Sequence, residues 1–121
     1  MFLGLRTVIY HVRDLDAAKK WYAQAFRTDP YFDEPFYVGF SIGGYELGLH
    51  PDLKDVSFGN NAVAYWGVPK IDEAMAHLKQ CGATPRSEPM DVGEGIKVAS
   101  VADPDGNVIG IIENPHFAAL A

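Results

Sequence analysis

Cys81 is the only cysteine among 121 residues, so no intrachain disulfide and no cysteine-rich zinc site can form. Late in an amphipathic helix, it is expected to pack rather than react. No apolar run approaches the roughly 20 residues of a membrane span. The opening Met1 to Arg6 lacks the basic start, long apolar centre and cleavage site of a secretory leader. Basic residues are sparse and unclustered. Ten Lys and Arg against 16 Asp and Glu leave a formal net charge of -6 and a pI near 5.0, which argues against a nucleic-acid partner. The chain is expected to be cytoplasmic, with neither membrane nor nucleic acid as its partner.

What is present is an ordinary globular composition, 48% hydrophobic and 21% charged, sufficient for one domain over residues 1–121. A chain of this length builds one core with little surplus for a large cavity, so pairing into a homodimer is expected. The strongest signal is an internal repeat. Thr7 to Ala18 matches Val63 to Ala74 in pattern: an apolar and aromatic strand closed by Val12 or Val68, then Asp16 or Asp72 ahead of a helix. Ala18, Trp21, Tyr22 and Ala25 would share one face of the first helix, and Ala74, Met75 and Leu78 one face of the second, which Gly82 ends. Each copy then runs into a hairpin, turning at Gly43 and Gly44 in the first and at Asp103 to Gly106 in the second. Beyond the turns, Tyr45 to Pro51 aligns with Asn107 to Glu113, setting Gly48 opposite Gly110. Each half reads strand, helix, three strands, with module one at about 1–55, module two at about 56–121 and a polar join near Asp52 to Asn61. Neither half alone covers both faces of a four-stranded sheet, so the halves must pack together, within one chain or across a dimer.

With Val12 to Tyr22 after the first strand and Asp103 to Asn107 before the last, the whole chain resembles the vicinal oxygen chelate superfamily of glyoxalases, bleomycin resistance proteins and extradiol dioxygenases. The resemblance implies an α+β fold in which two tandem βαβββ modules form curved mixed sheets around a cavity, commonly completed by dimerisation. It implies no reaction, because such folds serve isomerases, dioxygenases, thiol transferases and drug-sequestering proteins.

In metal-dependent relatives, His, Glu or Gln ligands come from early in the first strand and from the last strand of each module. Carried over, those positions are Thr7, Gly48, Val63 and Gly110. Threonine is a poor ligand, and glycine and valine offer no donor atom, so no metal cofactor is expected. The repeat supports the alignment independently by pairing Thr7 with Val63 and Gly48 with Gly110. Glu46 is the nearest carboxylate for the alternative, a divalent ion held at unorthodox positions. The two glycines either open space at the cavity centre or relieve crowding between sheets.

Alternation along a strand puts Thr7, Ile9 and His11 on one face, Glu46, Gly48 and His50 on another strand's equivalent face, and Val63 with Tyr65 likewise. Two histidines, a carboxylate and a phenol against apolar walls suit a small organic molecule. The resemblance also puts His11 where relatives reach the polar end of a substrate, although a strand-end histidine can simply be solvated or bonded to backbone. Tyr65 is assigned to the cavity and Trp66 to the core, and most aromatics of Phe36 to Phe40 to the core. Glu88 to Ile96 reads as a glycine-rich acidic loop, either a movable flap with Met90 and Val92 as contacts or an ordinary connection. His77 is expected to face solvent, Glu113 and His116 to anchor the terminus, and Phe117 to pack at a dimer seam. The expected ligand set is Thr7, Ile9, His11, Glu46, Gly48, His50, Val63, Tyr65, Met90 and Gly110. The leading function is metal-free binding of a small organic molecule. The alternatives are a glyoxalase-type isomerase or lyase, or a dioxygenase-like enzyme, using His11, Glu46 or His50, and a sensor module.

Overall fold

The repeat is visible in the order of elements. A computed structural model describes residues 1–102, 104 and 106–117. It runs β1 (Gly4–His11), α1 (Leu15–Phe26), β2 (Phe32–Glu34), β3 (Tyr37–Ile42) and β4 (Tyr45–His50), then β5 (Val63–Gly67), α2 (Ile71–Gln80), β6 (Thr84–Gly93), β7 (Ile96–Ala102) and β8 (Val108–Glu113). This is the expected α+β pair of βαβββ modules. The residues gather into two compact units, Thr7–Ala62 and Met1–Arg6 with Val63–Phe117.

In the first unit the strands lie in the order β2-β3-β4-β1, with β1 parallel to β4 and the others antiparallel. Residues two apart share a face, so Val38 and Phe40 of β3 and Leu47 and Leu49 of β4 line the side that α1 covers. Phe40 and Leu49 are fully buried there, each contributing about 1.5–3 kcal/mol of hydrophobic stabilisation. Leu15, Ala18, Tyr22 and Ala23 of α1 pack onto this core. Trp21 and Ala25, expected on the buried face, are exposed. Leu15 and Ala23 flank Ala18 and Tyr22 on the buried side instead, and the helix starts earlier than Asp16 suggested: Asp14 is the N-cap, accepting from the Ala17 N–H at 3.1 Å. Gly43 and Gly44 both take positive φ in the β3–β4 turn, as expected.

The second unit repeats the plan with β5-β8-β7-β6. Ala99, Val101 and Ile111 meet Val68, Ile71, Ala74 and Met75 under α2, and Leu78 packs against them, as its spacing indicated. The helix ends in a two-bond motif: Gly82 N–H to Lys79 C=O at 3.0 Å and Ala83 N–H to Leu78 C=O at 3.0 Å, with Gly82 at φ +95°. Its start is unusual, because the N-cap Lys70 offers no capping side chain. Glu113 supplies one instead, accepting from the Ile71 N–H at 2.8 Å. Ile109, Ile111 and Glu113 share the helix-facing side of β8, which is what brings the carboxylate to that position. Asp72, like Asp16, lies within the first helical turn rather than before it.

Three further expectations are corrected. Glu88 to Ile96 is no open loop: it is the end of β6, a tight turn at Glu94 and Gly95, and the start of β7, with Met90 paired to Val98. Trp66, assigned to the core, is 41% exposed. Cys81 is exposed at the C-cap of α2 rather than packed, its Sγ 3.7 Å from His77 Nε2, and His77 is itself exposed as expected. Asp103 and Asp105 of the second expected turn lie outside the described residues, while Gly106 has φ +88°. At the terminus His116 meets the Glu94 carbonyl at 2.8 Å, and the Arg6 guanidinium stacks 3.6 Å over the Phe117 ring. No helix among the described residues is long and apolar enough to cross a membrane.

Candidate functional site

On the face of the first unit away from α1, strand register places Thr7, Ile9 and His11 of β1 directly beside Glu46, Gly48 and His50 of β4. Two polar clusters result. Thr7, 5% exposed and the buried polar residue of this unit, donates from Oγ1 to Glu46 Oε1 at 3.2 Å. Glu46 Oε2 accepts a short hydrogen bond from the Tyr31 hydroxyl. Tyr31 lies over Gly39, where a Cβ would come within 2.8 Å of Glu46 Oε2 and 3.2 Å of the Tyr31 ring. Glycine at that position therefore makes room for the pair. The Tyr31 phenol is held well above its ordinary range, first by desolvation and then by the adjacent Glu46 carboxylate.

His11 and His50 form the second cluster, with ring centroids 5.1 Å apart. One residue's backbone fixes both rings. His11 Nδ1 lies 2.6 Å from the Asp52 carbonyl, which can only accept, so Nδ1 carries the proton. His50 Nδ1 accepts from the Asp52 N–H at 3.0 Å, so its proton sits on Nε2 when the ring is neutral. Burial lowers the His50 pKa, with repulsion from His11 in the same direction and Asp52 opposing. Protonating Nδ1 would also break the bond to Asp52, a further bias towards the neutral ring. Asn61 Oδ1 accepts from the His11 backbone N–H at 3.0 Å, tying the join between modules to the end of β1.

Gly48, centred on this face, opens no space. Tyr37 packs so closely over it that a Cβ on residue 48 would overlap the phenol hydroxyl. In the second unit, Gly110 pairs with Tyr65 across β5 and β8, and a Cβ there would sit 2.6 Å from Tyr65 Cδ1 and 2.9 Å from the Ala64 carbonyl oxygen. The reading of these glycines as cleared space is corrected: tyrosine rings occupy both places. Burial raises the Tyr65 pKa. Register carries the Tyr65 and Gly110 face outward through Ser100 and Val98 of β7 to Ser87 and Met90 of β6. Met90 thus shares a sheet face with Gly110 but is 60% exposed on the outermost strand of its unit. Val63 opens β5 on the same alternation as Tyr65.

The residues present do not fit the metal centre that the resemblance suggests. Thr7 and Val63 supply no imidazole or carboxylate, and positions 48 and 110 have no room for a side chain under Tyr37 and Tyr65. The one nearby carboxylate, Glu46, is bound on both oxygens by Thr7 and Tyr31. Among the described residues, no three of His, Cys, Asp and Glu converge.

Tyr31, Tyr37, Gly39 and Asp52 were not singled out from the sequence as site residues. Gly39 and Gly48 were the available signal, since register partners that are both glycine leave an unfilled strip for rings to cover. Also unforeseen is a recess of about 430 Å³ at the start of α1, lined by Tyr10, His11, Arg13, Tyr22, Phe58 and Asn61 among others, with the Arg13 guanidinium 3.5 Å over the Phe58 ring.

Residues 4–111 match the family described as the Glyoxalase/Bleomycin resistance protein/Dioxygenase superfamily. No curated protein sequence matches the chain. Among solved structures, a Streptomyces coelicolor methylmalonyl-CoA epimerase in complex with 2-nitronate-propionyl-CoA is similar at TM-score 0.78 and 15% identity, covering 99% of this chain and 100% of that one. A superfamily member from Vibrio splendidus 12B01 gives 0.68 and 16%, covering 91% and 99%. The Mn(II)-bound glyoxalase from Novosphingobium aromaticivorans gives 0.72 and 20%, covering 99% of this chain and 42% of that one. At these identities the likeness is one of fold.

Proposed function

The chain belongs to the glyoxalase, bleomycin resistance protein and dioxygenase superfamily, and we propose that it binds a small organic molecule on the β1-β4-β3 face of its first module without a metal ion. The observation that carries this reading is the side-by-side placement of the Thr7–Glu46–Tyr31 and His11–His50 clusters around Ile9 and the Tyr37 ring. Few oriented polar groups among aromatic and aliphatic walls are what organic ligands require. The donor set argues against an ion, for the reasons given by Gly48, Gly110 and the doubly bonded Glu46. Within the second module, Val63, Tyr65, Gly110 and Met90 share one strand face and are proposed as ligand contacts of that module.

The same proposal includes a homodimer, which would cover some of the large apolar side chains left exposed, such as Trp21 at 61% and Phe36 at 63%, and a cytoplasmic setting, with which a single cysteine in 121 residues is in keeping. A second reading, a proton-transferring isomerase or lyase, rests on one feature. In its neutral form His11 keeps a lone pair on Nε2, as a general base requires.

A thermal-shift screen of thiols, aromatics and drug-like compounds tests the proposal, because a ligand specific for the folded state raises its melting temperature. Hits should lose their effect in His11→Ala and Glu46→Ala. Hits that stabilise both variants as they do the parent chain would overturn the assigned face. Turnover of a hit that His11→Ala abolishes, with binding retained, would favour the enzymatic reading.

A further inference from the structure

The two histidines differ in polarity although they are neighbours in register. His11 donates through Nδ1 to the Asp52 carbonyl, so its neutral ring presents a bare acceptor at Nε2. His50 accepts at Nδ1 from the N–H of the same residue, so its neutral ring presents a donor at Nε2. In an imidazole the second nitrogen is directed away from the partner of the first, so both Nε2 atoms turn away from the Asp52 backbone. The rings sit side by side on paired strands, 5.1 Å apart and tilted by only 32°. Resting on the binding function proposed above, we propose that His11 and His50 form a donor–acceptor clamp for a neutral carboxamide or lactam edge, in which a ligand N–H meets His11 Nε2 and the adjacent ligand C=O meets His50 Nε2.

Charge selection follows from the same geometry. A carboxylate brings only acceptors and opposes its lone pairs to that of His11, and an ammonium brings only donors and opposes the His50 N–H. A carboxamide satisfies both, whereas a mismatched group leaves a half-buried polar atom unpaired. The body attached to the amide has an apolar seat, since Ile9 shares this strand face and the Tyr37 ring meets His50 edge-on at 6.3 Å. An aryl carboxamide is therefore the expected class.

The test uses the full chain and a matched set of probes: benzamide, benzoate and benzylamine. Binding is followed by NMR at about pH 8, above the reference histidine pKa of about 6.5. Two-bond nitrogen–proton spectra of the unliganded chain should show the Nδ1–H form for His11 and the Nε2–H form for His50. Benzamide should shift both rings and bind about tenfold or more tightly than either charged probe. His11→Phe and His50→Phe should each remove that preference. Because the tautomers are read on the parent chain, the proposal stays testable if a variant fails to fold. Identical tautomers on the two rings, or benzoate or benzylamine binding this face as well as benzamide does, would overturn the clamp and leave the binding face standing. If all three probes leave the resonances of this face unmoved, both the clamp and the binding face are wrong.

Discussion

The Tyr37 hydroxyl occupies the place where a side chain on residue 48 would begin, so Gly48 is glycine because a tyrosine from the neighbouring strand lies across it. Tyr65 bears the same relation to Gly110 in the second module. The two last strands, where metal-binding relatives of this fold place ligands, are thus closed by aromatic rings rather than cleared.

The closure is testable by paired substitutions. Gly48→Ala should destabilise the chain by about 1–3 kcal/mol through overpacking, and Tyr37→Ala should remove most of that penalty. Gly110→Ala should keep its penalty in a Tyr65→Ala background, because the Ala64 carbonyl oxygen, 2.9 Å from the new Cβ, is backbone and remains in place. Urea denaturation of the two double-mutant cycles measures this, and strong rescue at both sites would contradict the packing described.

The two helices end alike but with different residues. Arg27 closes α1 at φ +54°, a left-handed conformation costly to a side chain, while Gly82 closes α2 at φ +95°. Arg27→Gly should stabilise by about 0.5 kcal/mol, the relief of strain being partly offset by the freer unfolded chain. Gly82→Ala should destabilise by about 1 kcal/mol. Thermal melts of the two variants should move in opposite directions.

Glu113 is expected to act as a surrogate cap. Glu113→Ala should cost about 1 kcal/mol by leaving the Ile71 N–H without its acceptor. Lys70→Asp places a capping carboxylate on an already extended N-cap residue and should largely restore stability in the double variant. An additive pair of effects in chemical denaturation would show that Glu113 acts in some other way.

His50 gives the folded state a dependence on pH. Its folded pKa is lowered below the unfolded value of about 6.5. Below that value the unfolded chain takes up the proton more readily than the folded one. The contribution is therefore whole above about pH 6.5 and declines as pH falls towards the folded pKa. Stability measured across that interval should fall less steeply in His50→Gln than in the parent chain, and an unchanged slope would place the titration elsewhere.

The sequence made the module order, the second helix face and the equivalence of Gly48 with Gly110 legible. Each rests on a local period or a repeated spacing, and register bears this out by pairing Ile9 with Gly48 and Tyr65 with Gly110. What fills a glycine position was not legible, because Tyr37 reaches Gly48 only through the β3–β4 pairing. The face of α1 was legible only in part: Ala18 and Tyr22 do pack inward, but the apolar spacing 18, 21, 22, 25 fits a stripe centred on Trp21 as well as one that runs through Leu15 and Ala23, and the sheet selects the second. Trp66 shows the limit of strand parity, which assigns a face without saying whether a helix covers that stretch of it. The opposite polarities of His11 and His50 depend on the path of the backbone at Asp52, which no periodicity encodes.

If Tyr37 and Tyr65 stand where a metal centre would need ligands, the purified, chelator-stripped chain titrated with Ni²⁺, Zn²⁺ and Mn²⁺ in a calorimeter will reveal it. No stoichiometric site is expected for any of the three. One tightly held ion per chain, lost on Glu46→Ala, would contradict that placement of the two rings.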